Sequence, residues 1–254
     1  MKNIRIIPRL DIKGQNVIKG VHTEGLRIVG DPKKLVAEYY RQGADEIIYM
    51  DIVASLYQRN LDFEQLKSVS DNIFIPFTVG GGIRSVGDIN NALRSGADKV
   101  AINTYAIKNP EFLTEAAKKF GAQCIVLSVE AKKTAPGKWE AYTDGGRERT
   151  GLDAVDWIKK GIELGVGEIL ITSIDQDGTY NGYDMDLIKE ITAFAPIPVI
   201  VHGGAGRKET ILAAIREGKA DAISASSIFH FNKSTISEVK EYLDNQGLKI
   251  RMIR

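Results

Sequence analysis

The sequence predicts a single (β/α)8 barrel, and three observations point to it. Its 254 residues match the roughly 250 that one such barrel needs. Short β-branched runs alternate with longer amphipathic stretches along the whole chain, which implies parallel strands covered by helices. There is also an internal repeat. Gly43-Ala-Asp-Glu46 resembles Gly165-Val-Gly-Glu168, Val79-Gly-Gly-Gly82 resembles His202-Gly-Gly204, and Gly96-Ala-Asp resembles Gly218-Lys-Ala-Asp. Glu46 and Glu168, Gly82 and Gly204, and Gly96 and Gly218 all stand 122 residues apart. A repeat of that length is a half-barrel of four units, too long for a solenoid module.

Strands are expected to begin near Ile4, Asp45, Phe74, Asp98, Gln123, Glu168, Pro198 and Asp221. Helical periodicity runs through 31–43, 85–96, 110–120, 152–165 and 207–218 between them. Closure into a barrel is the simplest arrangement of eight such units, with an open doubly wound sheet as the alternative. The expected organisation is one domain in two quasi-equivalent halves, about 1–121 and 122–254.

Composition narrows the function. Lys plus Arg number 34 against 33 for Asp plus Glu, a balance that argues against a nucleic-acid or membrane-surface partner. No apolar run approaches the roughly 20 residues of a membrane span and the N-terminus lacks a signal-peptide core, so a cytoplasmic protein is expected. The single cysteine, Cys124, rules out an intrachain disulfide and reads as a small buried hydrophobe in Gln-Cys-Ile-Val-Leu.

The working rim of such a barrel is formed by the C-terminal strand ends and the loops after them. Gly80-Gly81-Gly82 follows the third strand and Gly203-Gly204-Ala205-Gly206 the seventh. Glycines there let backbone N–H groups approach an anion closely. The next strands end in Asn103-Thr104 and Ala225-Ser226-Ser227, which add donors. The bland alternative is a pair of tight turns. Two matching grips across one mouth instead suit a small molecule with a phosphate at each end.

Asp11 and Glu130 end the first and fifth strands at related positions, each after an apolar run. Opposed carboxyls in such surroundings can divide general acid and base roles, the alternative being loop capping. Asp51, Asp175 and Asp177 also close strands, and Asp177 is the one that its Asp-Gly-Thr turn sets over the mouth. His22, His202 and His230 lack ligand spacing, so neither a metal nor another cofactor is expected; His202 reads as a positioning or packing residue. At the opposite end Arg5, Glu46, Lys99 and Glu168 share the inward face, where two charges of each sign neutralise one another. They form either a polar plug or a gate for a small molecule delivered by a docked partner.

Along essentially the whole chain the residues resemble the cyclase subunit (HisF type) of imidazole glycerol phosphate synthase. The resemblance rests on Ile6-Ile-Pro-Arg-Leu-Asp11, Thr78-Val-Gly-Gly-Gly-Ile-Arg84, Ala97-Asp-Lys-Val-Ala-Ile-Asn103, Thr172-Ser-Ile-Asp-Gln-Asp-Gly-Thr179 and Ser226-Ser-Ile-Phe-His230. It implies a barrel that takes ammonia from a glutaminase subunit docked beneath it, through a four-residue charged gate matched by Arg5, Glu46, Lys99 and Glu168. It implies a phosphoribulosyl formimino aminoimidazole carboxamide bisphosphate as substrate, cleaved and cyclised to imidazole glycerol phosphate and an aminoimidazole carboxamide ribotide. Asp11 matches a catalytic aspartate, and Lys19 a mobile-loop lysine that approaches the substrate. Two departures stand out. Glu130 replaces the second catalytic aspartate, and Arg9 stands where the cyclase usually carries a small cysteine. With Tyr49-Met-Asp-Ile-Val-Ala-Ser-Leu-Tyr57 they resemble a paralogous branch. In that branch the barrel serves as ammonia conduit and docking platform, beside an ATP-using amidotransferase, in forming acetamidino groups on bacterial surface sugars.

Overall fold

The apolar runs form the staves that the alternation predicts, and two hairpins that it does not. The computed structural model describes residues 3–71 and 73–252. The first half opens with Arg5–Lys13 (β1), which continues past the rim into an antiparallel hairpin of Asn16–Val21 (β2) and Glu24–Gly30 (β3). Pro32–Arg41 (α1), Ile47–Asp51 (β4), Phe63–Ser70 (α2), Phe77–Gly80 (β5), Val86–Arg94 (α3), Lys99–Ile102 (β6), Thr104–Lys108 (α4) and Glu111–Phe120 (α5) follow. The second half repeats the plan. Ile125–Ala135 (β7) runs into a hairpin of Lys138–Thr143 (β8) and Glu148–Asp153 (β9), followed by Ala154–Glu163 (α6) and Glu168–Ser173 (β10). Met185–Thr192 (α7), Val199–His202 (β11), Lys208–Arg216 (α8), Ala222–Ala225 (β12), Ser227–His230 (α9) and Ile236–Asn245 (α10) complete it.

Eight staves close the barrel in the order β1-β4-β5-β6-β7-β10-β11-β12, each with two parallel neighbours, and β12 returns to β1. Closure removes the free edges that an open sheet would leave. The repeat is visible in the register. Ile47 lies opposite Phe77 in the first half, and Ile169 opposite Val199 in the second, each residue 122 positions from its counterpart. Asp11 lies opposite Met50 and Glu130 opposite Thr172, so the two carboxyls occupy equivalent places.

Alternation along each stave sorts residues into two cores. Outward residues such as Ile6, Ile47, Tyr49, Ile125, Ile169 and Val199 pack beneath the helices. Inward residues Ile7, Ile48, Met50, Ala101, Val126, Leu170, Ile200 and Ala222 fill the barrel's middle. Two residues below Ile7, Ile48, Ala101 and Leu170 stand the charged Arg5, Glu46, Lys99 and Glu168, and two above Ile7, Ala101, Val126, Leu170, Ile200 and Ala222 stand the polar Arg9, Asn103, Ser128, Thr172, His202 and Ser224. Height along the stave thus decides chemistry.

Helices start where the sequence supplies an acceptor. The side chains of Asp31, Asp62, Ser85, Asp153, Asp184 and Thr235 each accept a backbone N–H at a helix N-terminus. Cys124 departs from expectation: it closes a 3-10 turn, Ala122–Cys124, just before β7 and is only half-buried. Among the described residues no helix is long and apolar enough to cross a membrane.

Candidate active site at the barrel mouth

Each stave that carries a proposed catalytic carboxyl also carries a hairpin, and both hairpins fold back over the rim. Asp11 and Glu130 point into the mouth and are buried. They have different neighbours. Arg9 Nε donates to Asp11 Oδ1 at 2.8 Å, and Lys19 Nζ stands 3.4 Å from Asp11 Oδ2. Glu130 accepts from Asn103 Nδ2 at 3.0 Å and from the Gly146 N–H in the β8–β9 turn. Burial alone would raise both acids. For Asp11 the charges of Arg9 and Lys19 overcome it and hold the carboxyl below the usual aspartate range. For Glu130 burial outweighs Arg9 and the Gly146 N–H and pushes it up to about 7.

The two glycine grips line this mouth. Gly81 has φ 98°, and a Cβ there would lie 2.1 Å from the Asp51 carbonyl oxygen. Gly204 has φ 99°, and its Cβ would lie 2.0 Å from the carbonyl oxygen of Gly182. Only glycine fits such positions. The first grip opens on a cleft of about 460 Å³ lined by Gly81, Gly82, Asn103, Thr104, Glu130 and Asp144. Thr104 Oγ1 accepts the Asp144 N–H at 3.1 Å, tying the β8–β9 turn to this cradle.

The second grip is much tighter. Gly203, Gly204, Ala225 and Ser226 surround about 10 Å³, room for about one water molecule. Lys19 fills the remainder, with Nζ 2.7 and 2.8 Å from the carboxylate oxygens of Asp177. Lys19 belongs to strand β2 and is buried, a correction to its reading as a loop residue. The Lys19 ammonium and His202 hold the Asp177 carboxyl far below its usual range against the opposing effect of burial. His202 sits between Ser224 Oγ, 3.0 Å from Nδ1, and Asp177 Oδ1, 3.5 Å from Nε2. Burial first, then Arg9, lowers its pKa and favours the neutral ring. Asp51 and Asp175 stand apart from this group: Asp51 pairs with Arg59 at 2.7 Å, and Asp175 accepts the Lys133 N–H at 2.7 Å.

Five buried side-chain polar atoms among the described residues lack a hydrogen-bond partner. Four of them, Asn103 Oδ1, Ser173 Oγ, His202 Nε2 and His230 Nε2, lie at C-terminal stave ends or in α9. Unsatisfied buried groups concentrated at one rim suit a surface shaped for a polar ligand. The sequence reading missed the β8–β9 turn, although Asp144-Gly-Gly-Arg147 is a turn signal in its own right.

At the opposite end the four charged residues meet. Arg5 reaches Glu46 at 2.7 Å and Glu168 at 2.5 Å; Lys99 reaches the same two acids at 2.9 and 2.7 Å. Thr78 Oγ1 adds a bond to Glu46 at 2.5 Å. The ring of alternating charge closes the barrel floor beneath the apolar layer.

Comparison with known proteins shows the family. Residues 5–235 match the model of a family described as histidine biosynthesis protein. The chain is 48% identical over 252 residues to imidazole glycerol phosphate synthase subunit HisF of Dehalococcoides mccartyi, covering 99% of both chains. It is 59% identical over 209 residues to the subunit of the same name from Legionella pneumophila, 82% of this chain and 99% of that relative. The chain belongs to this family. Arg9 and Glu130, the two positions that the resemblance singles out as departures, face the same mouth. The Arg9 guanidinium also donates to Thr172 Oγ1 at 3.0 Å.

Proposed function

We propose that this chain is the ammonia-using cyclase subunit of an imidazole glycerol phosphate synthase. It would act on the phosphoribulosyl formimino aminoimidazole carboxamide bisphosphate to form imidazole glycerol phosphate and the aminoimidazole carboxamide ribotide. The observation that carries this reading is an unlike pair of carboxyls, Asp11 and Glu130, between two glycine grips related by the repeat. The reaction needs a proton removed from the incoming ammonia nitrogen and a proton delivered to the departing amine. The carboxyl pair supplies both, each in general acid–base reach of a substrate held across the mouth. One phosphate sits with Gly81, Gly82, Asn103 and Thr104. The other sits with Gly203, Gly204, Ala225 and Ser226, where it draws Lys19 away from Asp177.

Ammonia enters from below, from a glutaminase subunit docked on the N-terminal face. Two features support that face. The charged ring of Arg5, Glu46, Lys99 and Glu168 stands at its centre. Near it, Phe74 is 84% exposed, beside a cleft of about 450 Å³ lined by Ile73, Ile75, Pro76 and Asp98. An aromatic side chain left this exposed suits an interface anchor. The surface-sugar role, with its ATP-using amidotransferase, is not favoured, since both relatives carry the name imidazole glycerol phosphate synthase subunit HisF.

The decisive experiment incubates the purified chain with the bisphosphate and saturating ammonium salt. Loss of the substrate's absorbance and appearance of both products are expected. A chain inert under these conditions, while a cyclase control turns over, would remove the reading.

A further inference from the structure

Arg9 is the least expected residue in the mouth, and its contacts are lopsided. Its backbone is anchored, for the carbonyl oxygen accepts from Ser226 Oγ at 2.7 Å. Its guanidinium crosses the barrel interior from β1 to Thr172 on β10, and on the way bonds to one carboxyl of the pair. Among the described residues Glu130 receives no cation at hydrogen-bond distance; its partners are a neutral amide and a backbone N–H. A carboxylate bound by two cations is stabilised in its charged form. One held by neutral donors in a buried site is stabilised less, and burial outweighs those donors at Glu130.

We propose that Arg9 is a positioning residue that divides the work of the pair, fixing Asp11 as the ionised proton acceptor and leaving Glu130 as the proton donor. This rests on the cyclase reading for the reaction it serves, but the assignment of the two carboxyls follows from their donor sets and their burial, the Arg9 charge acting on both and hydrogen-bonding only Asp11. The exchange of aspartate for glutamate and of cysteine for arginine then form one change. The cation at position 9 serves the first carboxyl, and the longer side chain at 130 takes its own partners on the far side of the mouth.

The charged and titratable groups facing Asp11 are Arg9 on β1, Lys19 on β2, Glu130 on β7, Asp177 after β10, His202 on β11 and His230 on α9. Glu130 faces Arg9, Asp11 and, from the β8–β9 turn, Asp144. Arg9 is the only one of these that hydrogen-bonds directly to Asp11 at under 3 Å.

The test titrates the two carboxyls directly. Protein labelled with ¹³C at the Asp and Glu side-chain carboxyls is followed by NMR across pH, with Asp11→Asn and Glu130→Gln assigning the signals. In the unaltered protein Asp11 is expected to ionise below the ordinary aspartate range and Glu130 near 7. In Arg9→Met the Asp11 midpoint should rise by about one pH unit or more, with Arg9→Lys in between. The acid limb of kcat/KM with ammonium should move upward with it. An Asp11 midpoint unmoved in Arg9→Met, or Glu130 ionising below Asp11 in the unaltered protein, overturns the proposal. So does a uniform loss of rate with unshifted limbs, the mark of a merely structural residue. If Arg9→Met does not fold, Arg9→Lys decides by the same criterion. A protein that shows the expected titrations but no turnover contradicts the cyclase reading and leaves this assignment standing.

Discussion

Asp11 and Glu130 differ by one methylene in chemistry and by much more in surroundings. Asp11→Asn removes the ionised member of the pair and keeps its shape. Ammonium-driven turnover is expected to fall by about 10² to 10⁴-fold with the thermal midpoint little changed, as followed by product formation and calorimetry. Glu130, raised to about 7, gives two pH dependences. As a proton donor it is lost above that value, so kcat/KM should decline from about pH 7 upward. For stability, a carboxyl whose folded pKa is raised binds a proton more tightly in the folded state. Its contribution is complete below the unfolded value and vanishes as pH climbs through about 7. Glu130→Gln should therefore be more stable than the unaltered protein at pH 8, by on the order of 3 kcal/mol at most, and lose the advantage at pH 4. Urea denaturation at the two pH values measures this, and equal differences at both would refute it. At this scale the sequence was informative about identity and silent about pairing. Asp11, Glu130 and Arg9 were all recognisable on one face, but which carboxyl Arg9 meets depends on its reach to Thr172, 163 positions away.

At the scale of elements, the strand-to-helix turns after β5 and β11 are the conserved geometry of the repeat within this one chain. Gly204→Ala would force a Cβ to 2.0 Å from a carbonyl oxygen at φ 99°. A cost of more than 1 kcal/mol in stability, together with a raised KM for the bisphosphate, is expected from thermal melts and kinetics. A melt and a KM both unchanged would contradict the geometry. The staves and the five long helical stretches were legible because their apolar periods run unbroken. The hairpins β2–β3 and β8–β9 were not. Register shifts interrupt them between Val17 and Ile18, Lys19 and Val21, and Glu140 and Tyr142, and each such shift reverses the parity on which a two-residue pattern depends. Lys19 was accordingly read as part of a loop, and the Gly145-Gly146 turn over Glu130 was not seen.

For the whole molecule, the inward faces of the staves carry charge at the floor, hydrocarbon in the middle and mixed polar groups at the mouth. Glu46 is the keystone of the floor, since Arg5, Lys99 and Thr78 all bond to it. Glu46→Ala would leave two cations sharing Glu168, at a cost of about 3–5 kcal/mol in urea denaturation. Under the cyclase reading, glutamine-driven turnover with the glutaminase subunit should fall while ammonium-driven turnover persists. A parallel loss of both would argue that the ring is only a plug.

What the chain order determined by itself was the barrel and its eight alternating strand–helix units. These follow from local periods and from one fixed spacing, which survive in a linear reading. Tertiary structure decided the rest: the plugging of the second grip by Lys19, the placement of the β8–β9 turn on Glu130, and the pairing of Arg9 with Asp11. Each depends on side chains from separated staves meeting inside a closed barrel, where burial and distance, neither of them a property of sequence neighbours, set the strength of every charge.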